Sequence, residues 1–235
     1  MKILIACEYS GIVREAFKAK GHNAWSCDLL PTDIPGQHIQ GNVLDILEQG
    51  WDMMIAHPPC THLAISGAAW FKYKKVEQIQ ALRFVRYLLE CNISKICLEN
   101  PVSVISTYIS KPTQIIQPYM FGHKEQKKTC LWLKGLPKLI ETKNVKDEMI
   151  KLPRNKRERL YYLPSSKDRW KERSRTFQGI AEAMAEQWGS LSPSEVVKEK
   201  CCEQCSVKAD LSDGNDTECI DQKCHYCHGF YPLTE

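Results

Sequence analysis

Short apolar runs without periodicity alternate along this chain with segments whose apolar residues recur at helical spacing, and few architectures accept that alternation. KILIACE, residues 2–8, has the apolar density of a buried strand. GIVREAFKAKG, residues 11–21, then predicts a short helix with Ile12, Val13, Ala16 and Phe17 on its inner side, stopped by Gly21. NAWSCDLLP reads as a second strand ending in the acid Asp28. Further along, DMMIA (52–56) predicts another buried strand, and residues 75–91 place Val76, Ile79, Leu82, Phe84, Val85, Leu88 and Leu89 largely on one helical face. SKICLENP and KKTCLWLKGLP supply later strands, and RTFQGIAEAMAEQWG returns to helix. The pattern predicts an α/β domain over residues 1–190, with a mostly parallel sheet covered by helices on both faces.

Charge divides the chain unevenly. The 235 residues carry a net charge of +4, but the part from Leu191 onward is acidic, so residues 1–190 hold 28 Lys and Arg against 19 Asp and Glu. The larger part is therefore expected to meet a polyanion. Residues 138–175 lose periodicity; within 151–175, 10 basic residues face 3 acidic ones and are interleaved with Tyr161, Tyr162 and Trp170. Basic residues mixed with aromatics suit phosphate attraction and base stacking, while a merely solvated charge run is the competing reading. No apolar run approaches the roughly 20 residues of a membrane span, and no targeting segment is evident, so a cytoplasmic location is the expectation.

Two strand ends carry the chemistry. In open α/β sheets ligands bind beyond the carboxyl ends of the strands, so the loops after the first, fourth and fifth strands should line one crevice. AHPPCTHLAISG, residues 56–67, puts Cys60 there behind two prolines that fix the backbone, and CLENP puts Glu99 on the neighbouring loop. Taken singly, Cys60 reads as a small core residue and Glu99-Asn100-Pro101 as an ordinary turn.

Together, Pro-Pro-Cys after one strand and Glu-Asn-Pro after the next resemble the cytosine-carbon-5 DNA methyltransferase family, particularly its short phage and prophage members. The resemblance covers most of residues 1–190 and implies a Rossmann-like, S-adenosylmethionine-dependent methyltransferase fold. It implies Cys60 as nucleophile and Glu99 as the carboxyl group facing the pyrimidine. By the same resemblance, Ala6, Cys7, Glu8, Ser10, Gly11, Asp28, Asn42, Val43 and Pro58 would bind S-adenosylmethionine. Pro59, Thr61, Ser66, Asn100, Lys128, Arg173 and Arg175 would contact DNA, duplex or single-stranded. The family usually has aspartate where this chain has Asn42, and arginine where it has Lys128. Residues 134–173 stand where larger members carry a long recognition region, which implies short or loose sequence specificity. Methylation of a free pyrimidine nucleotide or of RNA is an alternative, and so is a non-catalytic binding protein on a methyltransferase fold.

Six of the twelve cysteines crowd into residues 201–227. Cys202 with Cys205 and Cys224 with Cys227 form two Cys-x-x-Cys pairs separated by 18 residues, the spacing of two knuckles of a tetrahedral structural zinc site. Cys201, Cys219, His225 and His228 are alternative ligands. Residues 191–200 then read as a linker and 201–235 as a small zinc-binding module, whose acidity suits docking on the basic domain or on a protein partner.

Overall fold

The structure is a computed structural model of the chain and describes residues 1–191. The expected linker beyond Leu191 and the zinc-binding tail lie outside the described residues.

Seven strands form one mixed sheet. β1 (Lys2–Ala6), β2 (Asn23–Asp28), β3 (His38–Gln40), β4 (Met53–Ala56) and β5 (Lys95–Pro101) run parallel. β6 (Gln114–Ile116) and β7 (Thr129–Lys134) complete the order β3-β2-β1-β4-β5-β7-β6, with β7 antiparallel to both of its neighbours. The order reverses direction between β1 and β4, which is the arrangement of a doubly wound, Rossmann-like sheet.

Strand alternation distributes β1 over two cores. Ile3 and Ile5 point to one face, where α1 (Ile12–Ala19) and α8 (Gln178–Gly189) bury Val13, Phe17, Ile180, Met184 and Trp188. Leu4 and Ala6 point to the other, against Val85 and Leu88 of α2 (Lys75–Glu90). Helices therefore cover both faces, as the alternation predicts. A sheet buried on both sides must be apolar throughout, which is why β4 reads MMIA with no polar residue.

Two helical faces depart from expectation. In α1, Ile12 is only partly buried, while Arg14 is completely buried. The Arg14 guanidinium donates to Ser26 Oγ at 2.9 Å, Thr32 Oγ1 at 3.2 Å and the Ile34 carbonyl at 2.5 Å, so the loop between β2 and β3 is pinned to the helix. In α2, Val85 and Leu88 are buried but Val76 and Ile79 are exposed. Length explains this: the 16 residues of α2 span roughly 24 Å, whereas the four residues of β4 cover roughly 13 Å. The first turns of α2 have no sheet beneath them.

Residues 138–175 form four short helices, α4 (Lys146–Ile150), α5 (Arg154–Arg157), α6 (Arg159–Tyr162) and α7 (Arg169–Ser174), after the single turn of α3 (Ile105–Tyr108). None of the five exceeds two turns, in keeping with their missing amphipathic period. Among the described residues no helix is long and apolar enough to cross a membrane.

Candidate active site

Because β1 to β5 are parallel, their carboxyl ends share one edge of the sheet, and the loops that leave them converge at the switch between β1 and β4. A cavity of about 590 Å³ opens there. Its floor comes from Cys7–Ser10 after β1, His57–Thr61 after β4 and Glu99–Pro101 at the end of β5. Arg173 to Thr176 close one side, and exposed Trp70, Tyr161 and Trp170 stand at its walls.

Cys60 is exposed on this cavity, not turned into the core. Its carbonyl accepts from the backbone N–H groups of Leu63 at 3.0 Å and Ala64 at 2.9 Å, so the chain turns sharply behind the sulfur. Asn100 ties this loop to the next one: buried, it donates through Nδ2 to the Pro58 carbonyl at 2.9 Å. The Cys60 loop and the Glu99 loop are thus tied together by one side chain.

Charge is concentrated behind the sulfur. His57 Nδ1 lies 3.2 Å from Glu99 Oε2, with side-chain exposures of only 12% and 10%. Burial disfavours the charged imidazole, but the contact with Glu99 and the field of Glu8 outweigh it and hold His57 above its ordinary value. Burial likewise opposes the Glu99 carboxylate, yet His57, Lys127 and the Thr176 hydroxyl outweigh it and hold Glu99 below its ordinary value. Each group of the pair thus favours the charged form of the other. For Glu8 the balance reverses, and burial pushes its carboxyl up against the opposing pull of His57.

Glu8 also has a structural task. Its Oε1 accepts from Val13 N at 2.7 Å and Ser10 Oγ at 3.1 Å, and its Oε2 from Arg14 N at 3.3 Å, satisfying the first turn of α1. Cys7, one residue earlier, holds a left-handed φ of 58°, alone among the described non-glycine residues. Backbone strain at the tip of β1 is a cost that a plain turn would relieve with glycine, and it turns the chain back across the cavity. Burial pushes the Cys7 thiol far up, which favours its protonated form.

The sequence-predicted residues divide into two groups. Cys7, Glu8, Ser10, Pro58, Pro59, Cys60, Thr61, Ser66, Glu99, Asn100, Arg173 and Arg175 all line the cavity. Ala6 and Val43 are buried in the core instead, and Gly11 lies at the start of α1 with φ 75°. Asp28 and Asn42 stand farther along the same sheet edge. Asp28 Oδ1 accepts from Leu30 N at 2.9 Å, and Asn42 Oδ1 accepts from Leu44 N at 3.2 Å.

Lys128 is exposed outside the cavity, and its neighbour Lys127 lines it in its place. Lys127 Nζ donates to the Arg175 carbonyl at 3.4 Å and lies 5.9 Å from the Phe177 ring centre. Successive residues in an extended segment point opposite ways, so one lysine of the pair had to face out. The register of β7, with Thr129 paired to Pro101, chooses which. Tyr9, Trp70 and Thr176 also line the cavity but were not singled out from sequence, although Tyr9 stands between the expected cofactor residues Glu8 and Ser10.

No family model matches the chain, and no curated protein matches it. Among the described residues no group of three or more His, Cys, Asp and Glu side chains is placed to hold a metal ion.

Proposed function

We propose that the protein methylates carbon-5 of cytosine in DNA, on a Rossmann-like S-adenosylmethionine-dependent methyltransferase fold, through a covalent adduct with Cys60. The observation that carries this reading is the meeting of an exposed thiol and a buried carboxyl in one cavity, on adjacent loops braced by Asn100. The placement of nearly half of the expected S-adenosylmethionine contacts on the cavity supports the cofactor. Cys7–Ser10 and Pro58 wall a space continuous with the Cys60 rim, and Asp28 and Asn42 continue along the same sheet edge. When bound there, the cofactor supplies an electrophilic methyl group.

The chain's own residues supply the rest. Carbon-5 of a pyrimidine is a weak nucleophile until carbon-6 is attacked. The Cys60 thiolate gives its electron pair to carbon-6, and the ring double bond becomes the electron source at carbon-5. Negative charge then builds toward ring nitrogen N3, where Glu99 meets it with a proton. After carbon-5 has been substituted, solvent water takes its proton, the C–H electron pair re-forms the ring double bond, and the C–S bond breaks to release Cys60 as thiolate. Trp70, Tyr161 and Trp170 offer π faces for a base taken out of its stack, and Arg173 and Arg175 offer charge for the adjoining phosphates.

DNA containing 5-fluorocytosine tests the reading, because fluorine at carbon-5 prevents release. Wild type is expected to form an adduct stable to denaturing electrophoresis, and Cys60→Ala none. Incubation with labelled S-adenosylmethionine and separate DNA, RNA and dCMP samples identifies the substrate; label in dCMP or RNA alone would overturn the DNA assignment. Label in none of them, with DNA binding intact, would leave a non-catalytic binding protein.

A further inference from the structure

His57 is buried where the ends of β1, β4 and β5 meet, and the chemistry above leaves it unused. Glu99 faces it from β5 with Cys97 behind, Glu8 from the loop after β1, Asp28 from the end of β2, and Lys127 from the segment before β7. Glu99 is in contact with the imidazole, and Glu8, Asp28 and Lys127 act on it electrostatically from farther off. The Nε2 atom of that imidazole is buried without a hydrogen-bond partner, as are Asn100 Oδ1 on the same cavity floor and Glu99 Oε2, which stands 3.2 Å from Nδ1 without hydrogen-bond alignment, so the ring must turn to share its proton. Buried carboxylates need a compensating positive charge, and the proton on His57 is the nearest one to Glu99.

Cytosine makes that proton useful. N3 of the ring is an acceptor, so an ionised Glu99 meets it lone pair against lone pair; only a carboxyl that carries a proton can donate there. We propose, on the reading that Cys60 attacks cytosine, that His57 is the proton reservoir for Glu99. As the thiolate adds to carbon-6, the Nδ1–H bond of His57 breaks and its proton bonds to the Glu99 carboxylate. The carboxyl passes a proton to the N3 lone pair and returns to carboxylate. Nδ1 keeps its electron pair, and His57 becomes neutral. The negative charge that Cys60 brings to the ring is thereby cancelled by the positive charge that His57 gives up. When Cys60 departs, the proton returns by the same path. His57 is a positioning residue in this scheme, acting on substrate only through Glu99.

The reservoir can be examined before any substrate is added. In the full chain labelled with 15N-histidine, the His57 ring signals, assigned by their loss in His57→Gln, should show both nitrogens protonated at neutral pH. Their titration midpoint should fall to lower pH in Glu8→Gln. A neutral His57 ring at neutral pH overturns the proposal by itself, and needs no variant to fold. In single-turnover trapping on 5-fluorocytosine DNA, the wild-type rate should decline above the His57 midpoint. His57→Gln should be slower by roughly 100-fold at neutral pH, with the deficit closing above the His57 midpoint, where the wild-type ring is neutral too, and in acid, where solvent protonates Glu99. Added imidazole should partly restore His57→Ala. An equal loss at every pH without rescue would mean a purely structural histidine and overturn the relay. An imidazolium seen by NMR in a wild type that forms no adduct would instead overturn the cytosine reading, and the relay with it.

Discussion

Asn100 and Arg14 show how single buried side chains set the site. Asn100→Ala leaves the Pro58 carbonyl without its donor, a loss of about 1–3 kcal/mol that should appear as a lower urea midpoint. The adduct with Cys60 should form more slowly as well, since the loop that carries the thiol loses its tie to the Glu99 loop. Arg14→Ala should cost more, about 3–5 kcal/mol, because Ser26, Thr32 and the Ile34 carbonyl all lose a buried donor at once. At the same scale, the His57–Glu99 pair gives stability a pH dependence with two flanks. His57, held above its ordinary 6.5 despite burial, contributes fully below that pH, and the contribution disappears as pH rises through the raised value. Glu99, held below its ordinary 4.5 despite burial, contributes above that pH and ceases to as pH falls through the lowered value. Urea denaturation across this range should give a maximum between the flanks, and Glu99→Gln should flatten both.

Among the elements, α8, which starts just beyond the cavity, and α7, which lines it, are anchored by quite different means. Gly179, in the first turn of α8, approaches Phe121 so closely that an added Cβ would sit 2.1 Å from its carbonyl oxygen, and its N–H donates to His123 Nε2 at 2.9 Å. Gly179→Ala must displace backbone and should lower thermal stability by at least about 2 kcal/mol. Gly41→Ala, with open space around it, is the matched control and should be nearly neutral. The wall formed by α7 hangs on less: the Tyr9 hydroxyl donates to the Lys171 carbonyl at 2.8 Å and the Tyr9 ring packs on Trp170 at 5.8 Å. Tyr9→Phe keeps the ring contact and removes the hydrogen bond, so trypsin should cut residues 167–175 faster while the melting temperature barely moves. The first βαβ unit and the strand ends bearing Cys60 and Glu99 were legible because period and apolar density decide them locally. The cover of α2, the burial of Arg14 and the choice of Lys127 over Lys128 were not, because each depends on what lies across a packing interface.

For the molecule as a whole, charge is the governing quantity. Residues 1–190 carry 28 basic against 19 acidic groups, and Arg173 and Arg175 bring part of that excess to the cavity. Nucleic-acid affinity should therefore fall steeply with salt, and Arg173→Ala should reduce the slope of log K against log salt by about one. Filter binding over a salt series measures both.

The order of strands and helices, the two motif loops and the sign of the surface charge follow from sequence by itself, since each rests on short-range period or on composition. What only tertiary structure decided is the neighbourhood of Glu99. His57, Lys127 and Thr176 come from three separate segments and reach it because the parallel β4 ends, and the antiparallel β7 begins, at one edge of the sheet. Electrostatic coupling depends on distance and burial through space, and no local pattern in a chain encodes either.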